Sequence, residues 1–456
     1  MGFRSDYKNK LVSATDAVSI VNPGDWVDYG AFCCAPEFLD AALAMRQDDL
    51  WDVKVRALAF PGVAAVSKGD PESGRFIYNS WHFSGGERKS HDRGNCHFIP
   101  FVYHEGPSHY RKNLRSDVCM LRVAPMDCFG NFNFGIANSF QRAIIESAHK
   151  VIVEVNENIP RCLGGAEESI HISEVDFVVE SDNKSLLTLP DSAVTVVDKA
   201  IATLIVQQIE DGACIQLGIG GMPNAVGKLI AQSELKNLGV HTEMLADSYL
   251  EMYEAGKITN SEKAKDRGKM VYAFALGSQR LYDFLDNNPA CASYAVDYTN
   301  GLFNIAANDR VVSINNALEV DLYGQVSSES AGYRHITGTG GQFDFAYGAY
   351  HSKGGKSFIC LSSTARNKEG QLISRIKPVF DPGTVVTLPR SITEYVVTEY
   401  GMVSLKGKST WERAEALISI AHPDFRDDLV RDAQRMRIWC AANRNDEVLH
   451  MVGACA

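Results

Sequence analysis

The sequence predicts an α/β protein built from two related domains, each with a mostly parallel sheet flanked by helices. Three observations carry this prediction. Short apolar runs typical of buried strands alternate with stretches of helical spacing. The order of elements at residues 18–43 recurs at residues 206–230. The chain has 456 residues, 45% of them hydrophobic, which is enough for about two or three domains of typical size.

The first half begins with a strand, a loop and a helix. Residues 26–30 (WVDYG) have the composition of a strand that ends in glycine, and residues 31–35 form a loop of small side chains. Pro36 then opens a helix that continues to Leu43, because proline is favoured in the first helical turn. Two later apolar runs, at residues 151–155 and 176–180, are predicted to be buried strands.

The second half repeats this order after a helix at residues 193–209, whose apolar side chains recur at helical spacing. Residues 212–226 then predict a strand, a glycine loop and the start of a helix, where backbone N–H groups point towards a ligand. The remaining predictions are strands at residues 269–276, 311–315 and 357–361, and helices at residues 410–420 and 426–439.

The repeat can be aligned residue by residue. Gly24 and Gly30 are six positions apart, as are Gly212 and Gly218, and residues 50–58 then align with residues 235–243 without a gap. Leu58 therefore takes the position of Glu243. We expect the domains to be residues 1–190 and 191–456, because the segment between residues 180 and 192 is rich in turn-forming residues.

The overall composition indicates a soluble protein that binds a small molecule. The net charge of -11 is spread along the chain, which argues against a nucleic-acid or anionic-membrane partner. No run approaches the roughly 20 apolar residues that a membrane-spanning helix needs. The 11 cysteines are scattered and suggest no disulfide framework, so we expect a reducing, cytoplasmic location.

Several familiar motifs are incomplete. In the glycine loop the third glycine of a dinucleotide-binding fingerprint would fall at Pro223, and the GKST at residues 407–410 lacks the glycine spacing of a phosphate-binding loop. Five histidines lie at residues 82–109 without the spacing of a metal site, so we interpret them as partly exposed polar side chains. Their role stays open, and no metal is expected.

Glu243 is the strongest candidate for chemistry, because an unpaired carboxylate is costly in an apolar, strand-like run. Two possible hydrogen-bond donors to an oxyanion occur further along the chain. One is the amide of Asn300, and the other is the backbone of the glycine loop at residues 338–345. Each of them also fits an ordinary tight turn.

Eight segments spread over nearly the whole chain resemble the class I CoA-transferases of the acetyl-CoA hydrolase/transferase family. The segments are VAPMD (123–127), VNENIPR (155–161), GIGGMPNAV (218–226), HTEM (241–244), SINNALEVD (313–321), GTGGQ (338–342), YVVTEYG (395–401) and AHPDFR (421–426). The resemblance implies two CoA-transferase-type α/β domains. It also implies that Glu243, ionised at neutral pH unless burial raises its reference pKa of about 4.3, is the nucleophile.

The resemblance further implies roles for particular residues. Asn300 matches an oxyanion-hole amide, and Gly341 matches a backbone donor that also contacts CoA. The other implied CoA contacts are Gly218, Ile219, Gly220, Gly221, Met222, Leu318 and Thr364. No permanently bound cofactor is implied, since CoA serves as substrate and as a covalent glutamyl-CoA intermediate. A homo-oligomer is expected on the same basis.

The implied reaction moves CoA from a short-chain acyl-CoA to acetate by a ping-pong mechanism, with butyryl-CoA favoured. Besides a non-catalytic nucleotide-binding or regulatory module built on the same glycine loop, two enzymatic alternatives stay open. Water could replace the acid, which would make the enzyme a short-chain acyl-CoA hydrolase, or the preferred acid could be propionate or 4-hydroxybutyrate. Both alternatives use Glu243, and a single methylene in an acyl pocket changes selectivity by only about 1–3 kcal/mol.

Overall fold

A computed structural model describes residues 2–70, 72–190 and 192–439. The predicted second domain also includes residues 440–456, which lie outside the described residues. The strands of the first half are β1 (Trp26–Tyr29), β2 (Val53–Ala57), β3 (Phe76–Ser80), β4 (His97–Phe98), β5 (Ser116–Val123), β6 (Asn131–Asn133), β7 (Ala148–Val155), β8 (Ser169–His171) and β9 (Phe177–Glu180). Those of the second half are β10 (Cys214–Leu217), β11 (Gly239–Leu245), β12 (Met270–Ala275), β13 (Cys291–Ser293), β14 (Val311–Asn316), β15 (Glu319–Asp321), β16 (Val326–Ser327), β17 (Ser330–Ala331), β18 (Arg334–His335), β19 (Lys356–Cys360), β20 (Thr364–Arg366), β21 (Leu372–Ser374), β22 (Ile376–Lys377), β23 (Tyr395–Thr398) and β24 (Gly401–Ser404).

Helices cover both sheets. They are α1 (Phe3–Lys10), α2 (Ala14–Val18), α3 (Glu37–Ala44), α4 (Ala65–Gly69), α5 (Gly85–His91), α6 (Gly106–Lys112), α7 (Gln141–Ser147), α8 (Val196–Val206), α9 (Gly221–Gln232), α10 (Asp247–Glu254), α11 (Gln279–Leu285), α12 (Val296–Thr299), α13 (Leu302–Ala306), α14 (Gln342–His351), α15 (Thr410–Ser419) and α16 (Pro423–Arg435). Within the described part of the chain, no helix is long and apolar enough to span a bilayer.

The two main sheets have equivalent strand orders. In the described residues the first sheet has seven strands in the order β4-β3-β2-β1-β5-β7-β9, and the second has eight in the order β13-β12-β11-β10-β14-β19-β23-β24. Every pair in the first sheet is parallel, and in the second only β24 joins antiparallel. The central strands are largely buried, because helices cover both faces of a parallel sheet. The predicted fold class is confirmed.

The strand registers follow the sequence alignment of the repeat. Trp26 of β1 lies opposite Lys54 of β2, and Cys214 of β10 lies opposite Gly239 of β11. The alignment pairs Trp26 with Cys214 and Lys54 with Gly239, so both pairings occur at the same point of each sheet. Four residues beyond Lys54 lies Leu58, and four beyond Gly239 lies Glu243. The two residues therefore occupy equivalent places in the two sheets.

Backbone hydrogen bonds join the two halves. The Ser139 N–H donates to the Ala273 carbonyl at 3.0 Å, and the Val296 N–H donates to the Ser139 carbonyl at 2.7 Å. The ring of Phe274, the residue after Ala273, stacks on the ring of Phe32 with centroids 3.8 Å apart. These contacts fix β12 and α12 of the second half against the first half, and the candidate site lies beside them.

Candidate active site

Glu243 lies on β11 at the wall of a cavity of about 660 Å³ between the two halves. Its neighbours on the strand, Thr242 and Met244, are buried, whereas the Glu243 side chain is partly exposed to the cavity. Large apolar side chains from both halves line much of the remaining wall, including Phe32, Leu58, Phe60, Phe274 and Leu276. A carboxylate therefore faces an apolar pocket of a size suited to a small organic group.

Asn300 is the direct hydrogen-bond partner of this carboxylate. It ends α12, and its side-chain Nδ2 donates to Glu243 Oε2 at 2.7 Å. The same nitrogen donates to Asp344 Oδ2 at 3.0 Å, and the residue is completely buried. The amide predicted from sequence as an oxyanion donor thus lies against the predicted nucleophile.

Gly341 lies against the same carboxylate oxygen that Asn300 bonds. A Cβ atom at this position would overlap Glu243 Oε2, so only glycine fits without displacing the acid. Gly341 also precedes α14, and the partial positive charge at a helix N-terminus favours a carboxylate anion. The glycine loop at residues 338–341 therefore meets Glu243 with its backbone.

Burial raises the pKa of the Glu243 carboxyl to about 8. The hydrogen bond from Asn300 opposes this shift, and the negative charge of Asp344 adds to it. The folded protein therefore holds the proton of this carboxyl more tightly than a free glutamic acid does. The sequence predicts an ionised Glu243 at neutral pH unless burial raises its pKa. Burial does raise the pKa, so the exception applies.

Most of the other sequence-predicted contacts line the main cavity or a smaller one that shares Asn316 and Ser328 with it. Gly218 and Ile219 line the main cavity, and Gly220 adopts a φ of 112°, which favours glycine. Gly221, Met222 and Leu318 line an adjoining cavity of about 320 Å³. Thr364 lies on β20, in the hairpin with β21, and does not line either of these two cavities.

Sequence profiles of two domains match most of the chain. The acetyl-CoA hydrolase/transferase N-terminal domain matches residues 1–190, and the C-terminal domain of the same name matches residues 277–433. The chain belongs to the acetyl-CoA hydrolase/transferase family. The resemblance seen in the sequence is thereby confirmed, as is the prediction of an enzyme of the CoA-transferase type.

Relatives of this family member cover nearly its whole length. The butyryl-CoA:acetate CoA-transferase of Anaerostipes caccae is 51% identical over 97% of this chain and 100% of the relative. A probable butyrate:acetyl-CoA coenzyme A-transferase of Syntrophomonas wolfei is 51% identical over 96% of this chain and 98% of its own. The crystal structure of RipA from Yersinia pestis matches with a TM-score of 0.87 and 37% identity, covering 96% of this chain and 100% of that one.

Two residues beside the Glu243 of this family member were missed from sequence. Asp344 accepts the second hydrogen bond of Asn300, and His104 Nδ1 lies 2.7 Å from Asp344 Oδ1. Asp344 lies within the glycine loop that the sequence singled out, which was the available signal. His104 carried none, because it lies 240 residues before its partner.

The histidine-rich stretch at residues 82–109 contacts the glycine loop. His82 Nε2 and Thr337 Oγ1 form a 2.7 Å hydrogen bond, and Arg88 Nε donates to the Ile336 carbonyl at 2.6 Å. Burial lowers the pKa of His82 to about 4, so its ring is neutral near pH 7. Among the described residues, no group of three His, Cys, Asp or Glu side chains could hold a metal ion. These contacts tie the first half to the loop beside Glu243.

Proposed function

We propose that this chain transfers CoA from butyryl-CoA to acetate through a covalent intermediate on Glu243. The observation that carries the proposal is the Glu243 carboxylate at the wall of an apolar cavity, in contact with both Asn300 and Gly341. The relatives named for butyryl-CoA and acetate support this choice of substrates, since they are 51% identical over almost the entire chain.

The proposed reaction begins when the ionised Glu243 carboxylate attacks the thioester carbonyl of butyryl-CoA. The carbon–sulfur bond breaks, which gives a butyryl-glutamyl anhydride and the CoA thiolate. The thiolate then attacks the glutamyl carbonyl, releases butyrate and leaves a glutamyl-CoA thioester. Acetate enters, and the same two steps run in reverse to yield acetyl-CoA and free Glu243. The thioester bond energy is conserved, so the reaction requires no ATP.

Asn300 and Gly341 are proposed to stabilise the oxyanions of these steps. Each attack places negative charge on a carbonyl oxygen, and an amide N–H beside the glutamyl carbon is suited to donate a hydrogen bond to that oxygen. Removing one such donor typically raises the barrier by about 3 kcal/mol. Gly341 also belongs to the proposed CoA contacts, together with Gly218, Ile219, Gly220, Gly221, Met222, Leu318 and Thr364.

The first half is proposed to shape the acyl pocket. It supplies Phe32, Leu58 and Phe60 to the cavity wall, and its Leu58 cannot act as a nucleophile. One active site per chain follows. We also propose the domain division at residues 1–190 and 191–456, a homo-oligomeric state and a cytoplasmic location, with no permanently bound cofactor.

Chemical trapping tests the nucleophile. The protein is incubated with butyryl-CoA and reduced with borohydride, and the modified peptide is located by mass spectrometry. We expect a reduced thioester at Glu243 and none in Glu243→Gln, which should retain its fold and bind CoA. Modification of another residue, or none at all, would contradict the proposal.

A second measurement separates transfer from hydrolysis. Acetyl-CoA formation from butyryl-CoA is followed with and without acetate, alongside the release of free thiol. We expect rapid transfer that requires acetate and slow thiol release without it. Thiol release at a comparable rate without an acid acceptor would identify a hydrolase. Propionyl-CoA and 4-hydroxybutyryl-CoA in place of butyryl-CoA test the choice of acyl group.

A further inference from the structure

A continuous chain of hydrogen bonds connects the first half of the protein to Glu243. His104 lies in a 3₁₀ turn, Tyr103–Glu105, and its Nδ1 is 2.7 Å from Asp344 Oδ1. The other oxygen of Asp344 accepts from Asn300 at 3.0 Å, and Asn300 donates to Glu243 at 2.7 Å. Because a carboxylate only accepts, the imidazole Nδ1 carries the proton that it shares with Asp344.

The two carboxylates determine which way the Asn300 amide points. Both N–H bonds of its Nδ2 are used, one towards Glu243 and one towards Asp344. Its Oδ1 is buried and has no hydrogen-bond partner within residues 2–70, 72–190 and 192–439. Turning the amide by 180° would aim this oxygen at two carboxylates and leave the N–H groups unpaired, which is unfavourable in a buried site.

The hydrogen bond from Asn300 to Glu243 weakens during the reaction. Once Glu243 becomes an anhydride or a thioester, it is a neutral ester-like group and accepts hydrogen bonds less strongly than a carboxylate does. Asp344 is not consumed, and its side chain is fully buried with the His104 imidazole against its other oxygen. It can therefore hold Asn300 in the same orientation through the covalent stages.

We propose that His104 and Asp344 are positioning residues: His104 fixes the Asp344 carboxylate, which keeps the Asn300 N–H directed at the glutamyl carbonyl while Glu243 is esterified. This inference rests on the proposed function of Glu243. It assigns the first half a part in catalysis beyond the acyl pocket, since His104 comes from that half and Asp344 from the second. It also gives a role to His104, one of the five histidines at residues 82–109.

Substitutions at His104 test the proposal, because its side chain is one-third exposed and tolerates change better than Asp344. His104→Phe keeps the ring shape and removes the donor. His104→Asn places an amide N–H near the position of Nδ1 and should restore the contact. His97→Phe is the matched control, because His97 is an exposed histidine of the same stretch. Asp344→Asn removes the anchoring charge and keeps the side-chain shape.

For His104→Phe we expect kcat to fall about 10-fold to 100-fold, which is the usual loss when a residue that orients a reactive group through a hydrogen bond is removed. The KM for butyryl-CoA should change less than about twofold. Asp344→Asn should lose at least as much kcat. Its new amide can donate a hydrogen bond to Asn300 Oδ1, which would turn the Asn300 amide around. His104→Asn should recover most of the rate, and His97→Phe should equal the wild type. The rate at which Glu243 is trapped by borohydride should fall in parallel with kcat.

The outcomes separate this inference from the proposed function. If wild-type protein is trapped at Glu243 and His104→Phe is trapped at the same rate, the positioning role is wrong and the nucleophile stands. The role is also wrong if His104→Phe and His104→Asn lose activity equally, since that result indicates a merely structural effect. If wild-type protein is not trapped at Glu243, both proposals fail.

Discussion

Leu58 and Glu243 occupy equivalent places in two sheets of the same strand order, and both side chains line one cavity. The first half thus contributes an apolar side chain at the point where the second half contributes a carboxylate. Under the proposed function, an acyl chain bound in this cavity would lie near both residues.

Leu58→Ala should widen the acyl pocket. The side chain is buried, so we expect the free energy of unfolding to fall by about 2–4 kcal/mol, together with a rise in kcat/KM for hexanoyl-CoA relative to butyryl-CoA. Leu121→Ala is the matched control, because Leu121 is equally buried in the first half and does not line this cavity. Leu121→Ala should lose similar stability with no change in selectivity. If the selectivity for hexanoyl-CoA over butyryl-CoA changes equally in both variants, Leu58 does not shape the acyl pocket.

The rate should depend on pH through the Glu243 carboxyl. Because the nucleophile must be ionised and burial raises its pKa to about 8, kcat/KM should rise about tenfold per pH unit below pH 8 and level off above it. Asn300→Ala should move this limb to higher pH, since the Asn300 hydrogen bond lowers the pKa. A limb near pH 4.5 in the wild type would contradict this origin.

The same carboxyl should affect stability in the opposite direction. An acid whose pKa is higher in the folded state binds its proton more tightly when folded, so the stability it confers is lost as pH rises from about 4.5 to about 8. Glu243→Gln has no such proton. We therefore expect its free energy of unfolding, relative to the wild type, to increase across this range in urea titrations. A difference independent of pH would show that the folded pKa is not raised.

Gly341→Ala should inactivate the protein. The added methyl group would overlap Glu243 Oε2, so the carboxylate or the loop must move, and we expect kcat/KM to fall at least about 100-fold. Gly74→Ala provides the control, because a Cβ there meets no atom within 4 Å. Circular dichroism should show that both variants are folded. Wild-type activity in Gly341→Ala would place the reacting carboxylate elsewhere.

The sequence by itself indicated the strand–loop–helix unit of each half and several of the other strands and helices, because apolar periodicity and turn residues are local properties of the chain. It also determined the alignment of Leu58 with Glu243, since a repeat preserves spacing along the chain. Both sheets have the strand order and register that this alignment requires. The residues named as site candidates came from the same local signals and from family resemblance.

Only the tertiary structure decided which side chains meet Glu243. Asn300 lies 57 residues after it, and His104 lies 240 residues before Asp344. Their contacts depend on how α12, α14 and the first half pack against β11, which no local pattern encodes. The raised pKa of Glu243 has the same origin, because burial is a property of the assembled cavity. Spacing along the chain could therefore identify the acid, but three-dimensional packing determines its partners and its protonation.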